Sequence, residues 1–380
     1  MKIYRVGGAV RDELLGLPVK DVDYVVVGAT VDDMLKQGFK QVGRDFPVFL
    51  HPKTKDEYAL ARTERKTGPG YQGFAVHALP EVTLEEDLAR RDVTVNAIAR
   101  DSDGNLIDPF RGKADLDAGI LRHVGPAFAE DPVRILRVAR FAARFGFTIA
   151  AETMQLMRDM VANGEADALV AERVWQEFAR GLMEATPSRM FIVLGEARAL
   201  DRIAPELETM LADSLRRERA LGALDYAAAR ECNLAIRFAA LTHRLDAAPS
   251  KVSNLIAMCE RLRVPSDCRE LARLAIANQE AINAGHLQVA ATAKVLERCD
   301  AYRRPERFID LLKVCACIFH ADPGQGRSPY PQAVELQHDF AAAQAVDAGA
   351  IVRADPDPTN LRERIHAARV AAIAAARTSG

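Results

Sequence analysis

The sequence predicts an α+β protein, a small strand-rich front region followed by an all-helical remainder. Three observations carry this. Up to about Phe110, short β-rich runs alternate with turn residues. After Asp131, apolar residues recur at helical spacing almost to the end. A length of 380 residues is enough for two or three domains, each with a core of its own.

In chain order, IYRV (3–6), DYVVVG (23–28), VFLH (48–51), EYALAR (57–62) and NLIDP (105–109) read as strands. DELLGL and VDDMLKQG read as short helices among them. Ser102-Asp103-Gly104-Asn105 is a turn signal that joins two strands as a hairpin. Residues 65–81, RKTGPGYQGFAVHALPE, hold three glycines and two prolines and read as a flexible loop. Beyond Asp131, AERVWQEFARGLMEA, SRMFIVLGEARAL, KVSNLIAMCERLRV and RFIDLLKVCACIF are amphipathic or buried helices. The closing stretch LRERIHAARVAAIAAARTSG reads as an Ala/Arg helix with a solvated surface. No repeat of fixed period is present.

Composition narrows the function classes. The net charge of −2 gives no global basic field, so a polyanion must be held by local patches, and no DNA partner is expected. Cys232, Cys259, Cys268, Cys299, Cys315 and Cys317 are scattered, with only the last two close. They read as reduced, buried thiols rather than a metal site. The opening MKIYRVGGAV has no long apolar run, and no stretch approaches the ~20 apolar residues of a membrane span. A cytoplasmic protein without a membrane partner is the expectation.

The front region carries the first chemical signal. IYRV runs into Gly7-Gly8, and a helix begins near Val10. Glycine lets backbone approach a ligand, and a helix start offers free N–H groups to an anion. Arg11, in the first turn, is placed to reach a phosphate. Next comes KDVDYVVV (20–27). Alternation along a strand points Asp21 and Asp23 the same way. Two carboxylates side by side at the head of a buried strand repel unless a cation lies between them. Oxygen-only ligands with water to spare suit Mg²⁺, and paired ions can activate a hydroxyl and stabilise leaving pyrophosphate.

Two arginine-rich stretches follow. In LARRDVTVNA (88–97), Asp92 can cap the next helical turn, leaving Arg90 and Arg91 where an anion is favoured. A guanidinium binds phosphate bidentately and is always charged. In AEDPVRILRVARF (129–141), Asp131 is placed as N-cap and Pro132 as first helical residue. At ~100° per residue, Ile135, Val138, Ala139, Ala142 and Phe145 gather on one side. Arg134, Arg137, Arg140 and Arg144 gather within roughly 120° on the other, a like-charged face that a polyanion would relieve. Asp131 and Arg134, one turn apart, can present an acceptor and a donor to the edge of a base.

GGAVRD, DVD, RRD and EDPVRILR, in this order and spacing, resemble the class II tRNA nucleotidyltransferases, or CCA-adding enzymes, of the polymerase-β-like nucleotidyltransferase superfamily. LGLPVKD, QVGRDFPVFLHP, EYALARTERK and AERVWQE match its bacterial branch. The likeness is close over about residues 1–205 and thins to a general helical one beyond. It implies a nucleotidyltransferase head with a mixed β-sheet (1–139), a helical neck that binds nucleotide and RNA (140–205), and a helical body and tail (206–380). It implies template-independent addition of C, C and A to tRNA 3′ ends from CTP and ATP, with release of pyrophosphate. Asp21 and Asp23 match the family's catalytic, metal-binding carboxylates. Gly8 and Arg11 match its triphosphate contacts, and Arg91, Arg137 and Arg140 its nucleotide-binding arginines. Asp131 and Arg134 match the pair that reads the incoming base. Residues 64–85 match the loop tied to the switch from C to A.

One departure concerns the helical half. Many close bacterial relatives carry an HD-type phosphohydrolase module there, with His-Asp metal ligands. Here the stretch reads IRFAALTHRLDAAPS: Arg244 follows His243, and the nearest acid is Asp246. A cation is a poor substitute for a carboxylate ligand. The region 206–380 is therefore expected to be HD-like but without phosphohydrolase ligands. Competing readings are a poly(A) polymerase or partial CCA adder, which shares the head motifs, a non-catalytic tRNA-binding protein, and a metal-dependent hydrolase. Asp21, Asp23 and Arg91 together argue against the binding protein, and the missing His-Asp pair argues against the hydrolase.

Overall fold

The computed structural model describes residues 1–19, 21–42, 48–66, 74–246, 252–285, 287–322, 324–325, 328–354 and 359–379. The chain forms two compact units. Met1–Gly181 with Arg189–Ile203 make the first, and Leu182–Ser188 with Ala204–Gly380 the second.

The first unit is built on a sheet containing β1 (Lys2–Val6), β2 (Asp23–Val27), β3 (Lys40–Gln41), β4 (Val48–Leu50) and β5 (Glu57–Leu60). A separate antiparallel ribbon joins β6 (Thr63–Lys66) to β7 (Phe74–His77), and β8 (Ala99–Arg100) and β9 (Leu106–Ile107) complete the main sheet. The order is β3-β4-β5-β2-β1-β8-β9. The β2–β5 pair is parallel and its neighbours antiparallel, so the sheet is mixed, as expected. The β8–β9 hairpin closes through the 102–105 turn, with Asp101 accepting the Asp103 and Asn105 N–H groups. A short parallel pair, β10 (Ile120–Leu121) and β11 (Thr148–Ile149), lies outside the main sheet.

The valine run of β2 explains why both faces of the sheet are covered. Val25 packs with Val6, Leu88 and Ala97, while Val26 packs with Met34, Phe39, Phe49 and Leu60 on the other face. Alternation then puts Asp23 on the Val25 side. Asp21 lies just ahead of β2 rather than inside it. The strand starts at Asp23 because its neighbours run out there: Asp23 pairs with Val6, the last residue of β1, and Glu57, the first of β5.

The helices of this unit are α1 (Gly8–Leu14), α2 (Val31–Lys36), α3 (Leu84–Ala89), α4 (Gly112–Ala118), α5 (Val133–Phe145), α6 (Ala151–Ala162), α7 (Ala171–Leu182), α8 (Ser188–Glu196) and α9 (Leu200–Ile203). Helix α1 begins at Gly8, two residues before the expected start near Val10. Gly7, at φ 69°, turns the chain directly out of β1. The flexible-loop reading of 65–81 needs correcting at its flanks, which are strands: Thr63 pairs with His77 and Lys66 with Phe74. Residues 67–73 lie outside the described residues.

The second unit is helical: α10 (Pro205–Ala212), α11 (Ser214–Ala229), α12 (Leu234–Thr242), α13 (Ser253–Arg261), α14 (Ser266–Asn283), α15 (Val289–Arg298), α16 (Pro305–His320), α17 (Pro331–Gln344), α18 (Ala348–Ala354) and α19 (Leu361–Ser379). Leu224, Phe238, Leu274 and Phe308 are among the residues that fill its interior. Arg237 is buried there. Its guanidinium donates to the carbonyls of Cys232, Leu182, Glu184 and Ala228. The closing Ala/Arg helix, read as solvated, is docked instead. Ile373 is fully buried, Arg377 donates to Asp339, Thr292 and the Leu287 carbonyl, and Arg369 lies 3.4 Å over the Tyr302 ring. Five cysteines are buried, Cys232 is half-buried, and all six are free thiols. Among the described residues no helix is long and apolar enough to cross a membrane.

Candidate active site

A cavity of about 710 Å³ in the first unit gathers every candidate residue read from the sequence: Gly8, Arg11, Asp21, Asp23, Arg91, Asp131, Arg134, Arg137 and Arg140. The local folding of three motifs explains this. The Gly7-Gly8 turn, the residues after α3, and the start of α5 all converge there.

Asp21 and Asp23 form no side-chain hydrogen bond or salt bridge among the described residues. Burial raises the pKa of Asp23, Arg91 pulls it back, and the Asp21 charge pushes it up again. An acid that gains proton affinity from a neighbouring acid is a position where a cation relieves strain. The donor set is all oxygen, which fits a hard divalent ion.

The arginines differ in their freedom. Arg11 is 3% exposed and is committed to the protein: it donates to Asp12 and Asn96 and lies 4.7 Å over the Phe145 ring. Arg144 donates to the other Asp12 oxygen at 2.8 Å. Asp87, fully buried, accepts from Arg90 at 3.1 Å and Arg91 at 3.5 Å. Burial alone would raise the pKa of Asp87, but the two guanidiniums outweigh it and hold it low. Gly7 closes on Arg91 from the other side. A Cβ there would stand 2.6 Å from Arg91 Nη1, at a backbone conformation that already disfavours one.

On α5 the expected like-charged face exists, but each guanidinium has found a protein partner. Arg134 donates to the carbonyls of Ala127 and Arg90, both at 2.7 Å. Arg137 donates to Asp92 at 2.7 Å, and Arg140 to the buried Glu177 at 2.6 Å. Phe141 and Phe145 lie beneath these arginines, so Phe145 belongs to this face rather than to the apolar one. Asp92 also accepts from Val93 N–H and Asn96. Burial would raise its pKa, and these donors hold it far below the usual carboxylate range. Helix α5 starts one residue later than expected, with Pro132 at the cap position and Val133 the first helical residue, while Asp131 still accepts the Val133 N–H at 3.1 Å. Its two oxygens also take a two-point contact from Arg173, at 3.2 and 2.8 Å.

Asp12, Asn96, Asp87, Arg173 and Glu177 were missed from the sequence. The spacing of Arg173 and Glu177 in AERVWQE, i and i+4 on one helix face, is a signal that could have found two of them.

In the second unit, His243 and Asp246 do not fit a metal. Asp246 is spent at the start of α13, accepting the Asn254 and Leu255 N–H groups at 3.0 and 3.2 Å. His243 is 2% exposed, its Nδ1 lies 2.7 Å from the Ala240 carbonyl, and Arg244 lines the same small cavity. Among the described residues no cluster of three or more His, Cys, Asp or Glu could hold an ion.

Residues 3–122 match the family described as the poly A polymerase head domain, and residues 146–211 that described as a probable RNA and SrmB-binding site of polymerase A. With the mixed sheet and the paired acids, this defines the first unit as a nucleotidyltransferase of the polymerase-β-like class. The chain is 53% identical to a multifunctional CCA protein of Nitrosomonas eutropha and 54% identical to one of Chromobacterium violaceum, in both cases over 98% of this chain and 98% of the relative. The Bacillus stearothermophilus CCA-adding enzyme in complex with CTP superposes with a TM-score of 0.71 at 26% identity, over 98% of this chain and 89% of that one. A CCA-adding enzyme with ATP shares the fold, at a TM-score of 0.68 and 20% identity, over 98% and 86% of the two chains. The chain belongs to the class II CCA-adding enzymes, the tRNA nucleotidyltransferases.

Proposed function

We propose that this chain adds C, C and A to tRNA 3′ ends from CTP and ATP, releasing pyrophosphate, in the cytoplasm. The observation that carries this is the pair Asp21 and Asp23, without a side-chain partner among the described residues, in an arginine-lined cavity large enough for a nucleoside triphosphate. Residues 1–139 serve as head, 140–205 as neck, and 206–380 as body and tail without phosphohydrolase ligands.

Asp21 and Asp23 would hold Mg²⁺, which supplies activation of the tRNA 3′-hydroxyl and neutralisation of the triphosphate when bound. Gly8 leaves room for phosphate beside the start of α1. Arg91, Arg137 and Arg140 orient the triphosphate, with Asp87, Asp92 and Glu177 fixing their guanidiniums beforehand. Arg11 braces the turn from within through Asp12 and Asn96, and meets phosphate only along its cavity edge. Asp131 and Arg134 choose the base. Arg173 holds the first and two carbonyls hold the second, so both present fixed groups. A base whose edge does not match leaves buried polar groups unpaired. The 64–85 segment takes part in the change from C to A.

The test is incubation with tRNA lacking zero to three 3′ nucleotides and each NTP in turn, read on a sequencing gel. Addition that stops after CCA supports the reading, and a continuing A tail supports a poly(A) polymerase instead. Asp21→Ala should lower incorporation by about a thousandfold, several kcal/mol of transition-state stabilisation, with tRNA binding kept. Near wild-type CMP incorporation by that variant would refute the carboxylate assignment.

A further inference from the structure

The helical unit holds a cavity of about 50 Å³ between the first turns of α11, the residues after α12 and the last turns of α14. That is room for about three to five water-sized groups, the size of a single tetrahedral oxyanion and not of a nucleoside. Arg216, His243, Arg244, Asp246, Gln279 and Glu280 line it.

The Nδ1 of His243 lies 2.7 Å from a carbonyl oxygen, so Nδ1 carries the proton and donates. Nε2 is then a bare acceptor, deeply buried, with no hydrogen-bond partner among the described residues. Arg244 Nε is buried and without a partner as well. Arg216 and Arg219 repel Arg244, and Glu280 opposes them. Arg219 has Asp322 at 3.4 Å, and Asp246 is taken up by backbone N–H groups. The lining therefore offers two guanidiniums and one imidazole acceptor beside the Glu280 carboxylate and the Gln279 amide, with His243 Nε2 and Arg244 Nε buried and unmet among the described residues. A divalent cation would face two arginines with one imidazole nitrogen, the Glu280 carboxylate and an Asp246 carboxylate already spent on backbone N–H groups.

We infer that this cavity is a metal-free phosphate site, in which Arg216 and Arg244 donate to phosphate oxygens and His243 Nε2 accepts from the P–OH of a singly protonated phosphate. The phosphate is free inorganic phosphate or the monoester end of a nucleotide, and the two have the same recognition chemistry. The inference is independent of nucleotidyl transfer in the first unit.

The test uses the full chain with ¹⁵N-labelled histidine, in chelator, with the His243 signal assigned by its loss in His243→Gln. Inorganic phosphate and AMP are titrated separately. A saturable displacement of the His243 Nε2 signal is expected, and Arg244→Gln and Arg216→Gln should abolish it while leaving the ligand-free spectrum otherwise unchanged. Response to phosphate alone assigns the free ion, and response to AMP assigns the monoester. A His243 signal that ignores both ligands, or moves equally in wild type and Arg244→Gln, overturns the inference. CMP incorporation by Arg244→Gln should stay at the wild-type rate, so failure here and failure of the transferase reading are separable.

Discussion

Asp87 touches no residue of the acid pair, yet it fixes the orientation of the two guanidiniums beside it. Full burial makes its interactions with Arg90 and Arg91 charge-assisted contacts in a poorly solvated place. Asp87→Asn should raise the KM for CTP by about tenfold, the worth of one hydrogen bond to a charged group. The KM for tRNA should not change; a parallel rise in both would mean general loosening of the head. Asp23 gives a second residue-scale prediction. Because its pKa is raised, it is protonated at a pH where an ordinary aspartate, near 3.9, is still ionised. A protonated Asp23 cannot hold a cation, so kcat/KM at limiting Mg²⁺ should fall on the acid side at a pH above that of a free aspartate. Arg91→Gln removes the opposing charge and should move the limb to higher pH. An unmoved limb in that variant would exclude Asp23 as the titrating group.

At the scale of elements, α5 shows how a helix turns a repulsive face into a scaffold. Its arginines repel one another only until neighbouring segments supply carboxylates and carbonyls. Those partners stand 45, 37 and 132 residues away for Arg137, Arg140 and Arg144, so no local spacing announces them. Helix α12 uses the same device in the second unit. Arg237 gathers carbonyls from the 182–188 segment and from the α11–α12 turn. Arg237→Met keeps much of the volume and removes every donor. Loss of about 3 kcal/mol or more is expected, from several buried acceptors left unmet. A second unit that melts at the wild-type temperature and keeps its α12 amide protection would contradict this.

The two units hold their exposed and buried acids differently at the positions that matter for an ion. Asp21 and Asp23 lie at the mouth of a strand with no side-chain donor bonded to them among the described residues, whereas Asp246 caps α13 and Asp339 is held by Arg377. Divalent-ion chemistry is accordingly expected only in the first unit. Purified protein should show no metal-stimulated hydrolysis of 2′,3′-cyclic nucleotides or phosphomonoesters. Robust activity that a chelator removes would overturn the assignment of the helical half.

The local motifs were readable from the sequence because their chemistry is short-range. The glycine turn, the closeness of Asp21 to Asp23, the helix start just after Asp131 and the arginine stripe each depend on residues a few positions apart. So did the mixed head and helical remainder, through period and turn residues. The flanks of the 65–81 segment were misread because glycine and proline counts hide the strand-forming Phe74 and Val76. Tertiary structure alone decided which charges are free. Whether a guanidinium reaches a ligand, or is already spent on a carboxylate, is settled by packing between distant segments, which one-dimensional spacing does not encode.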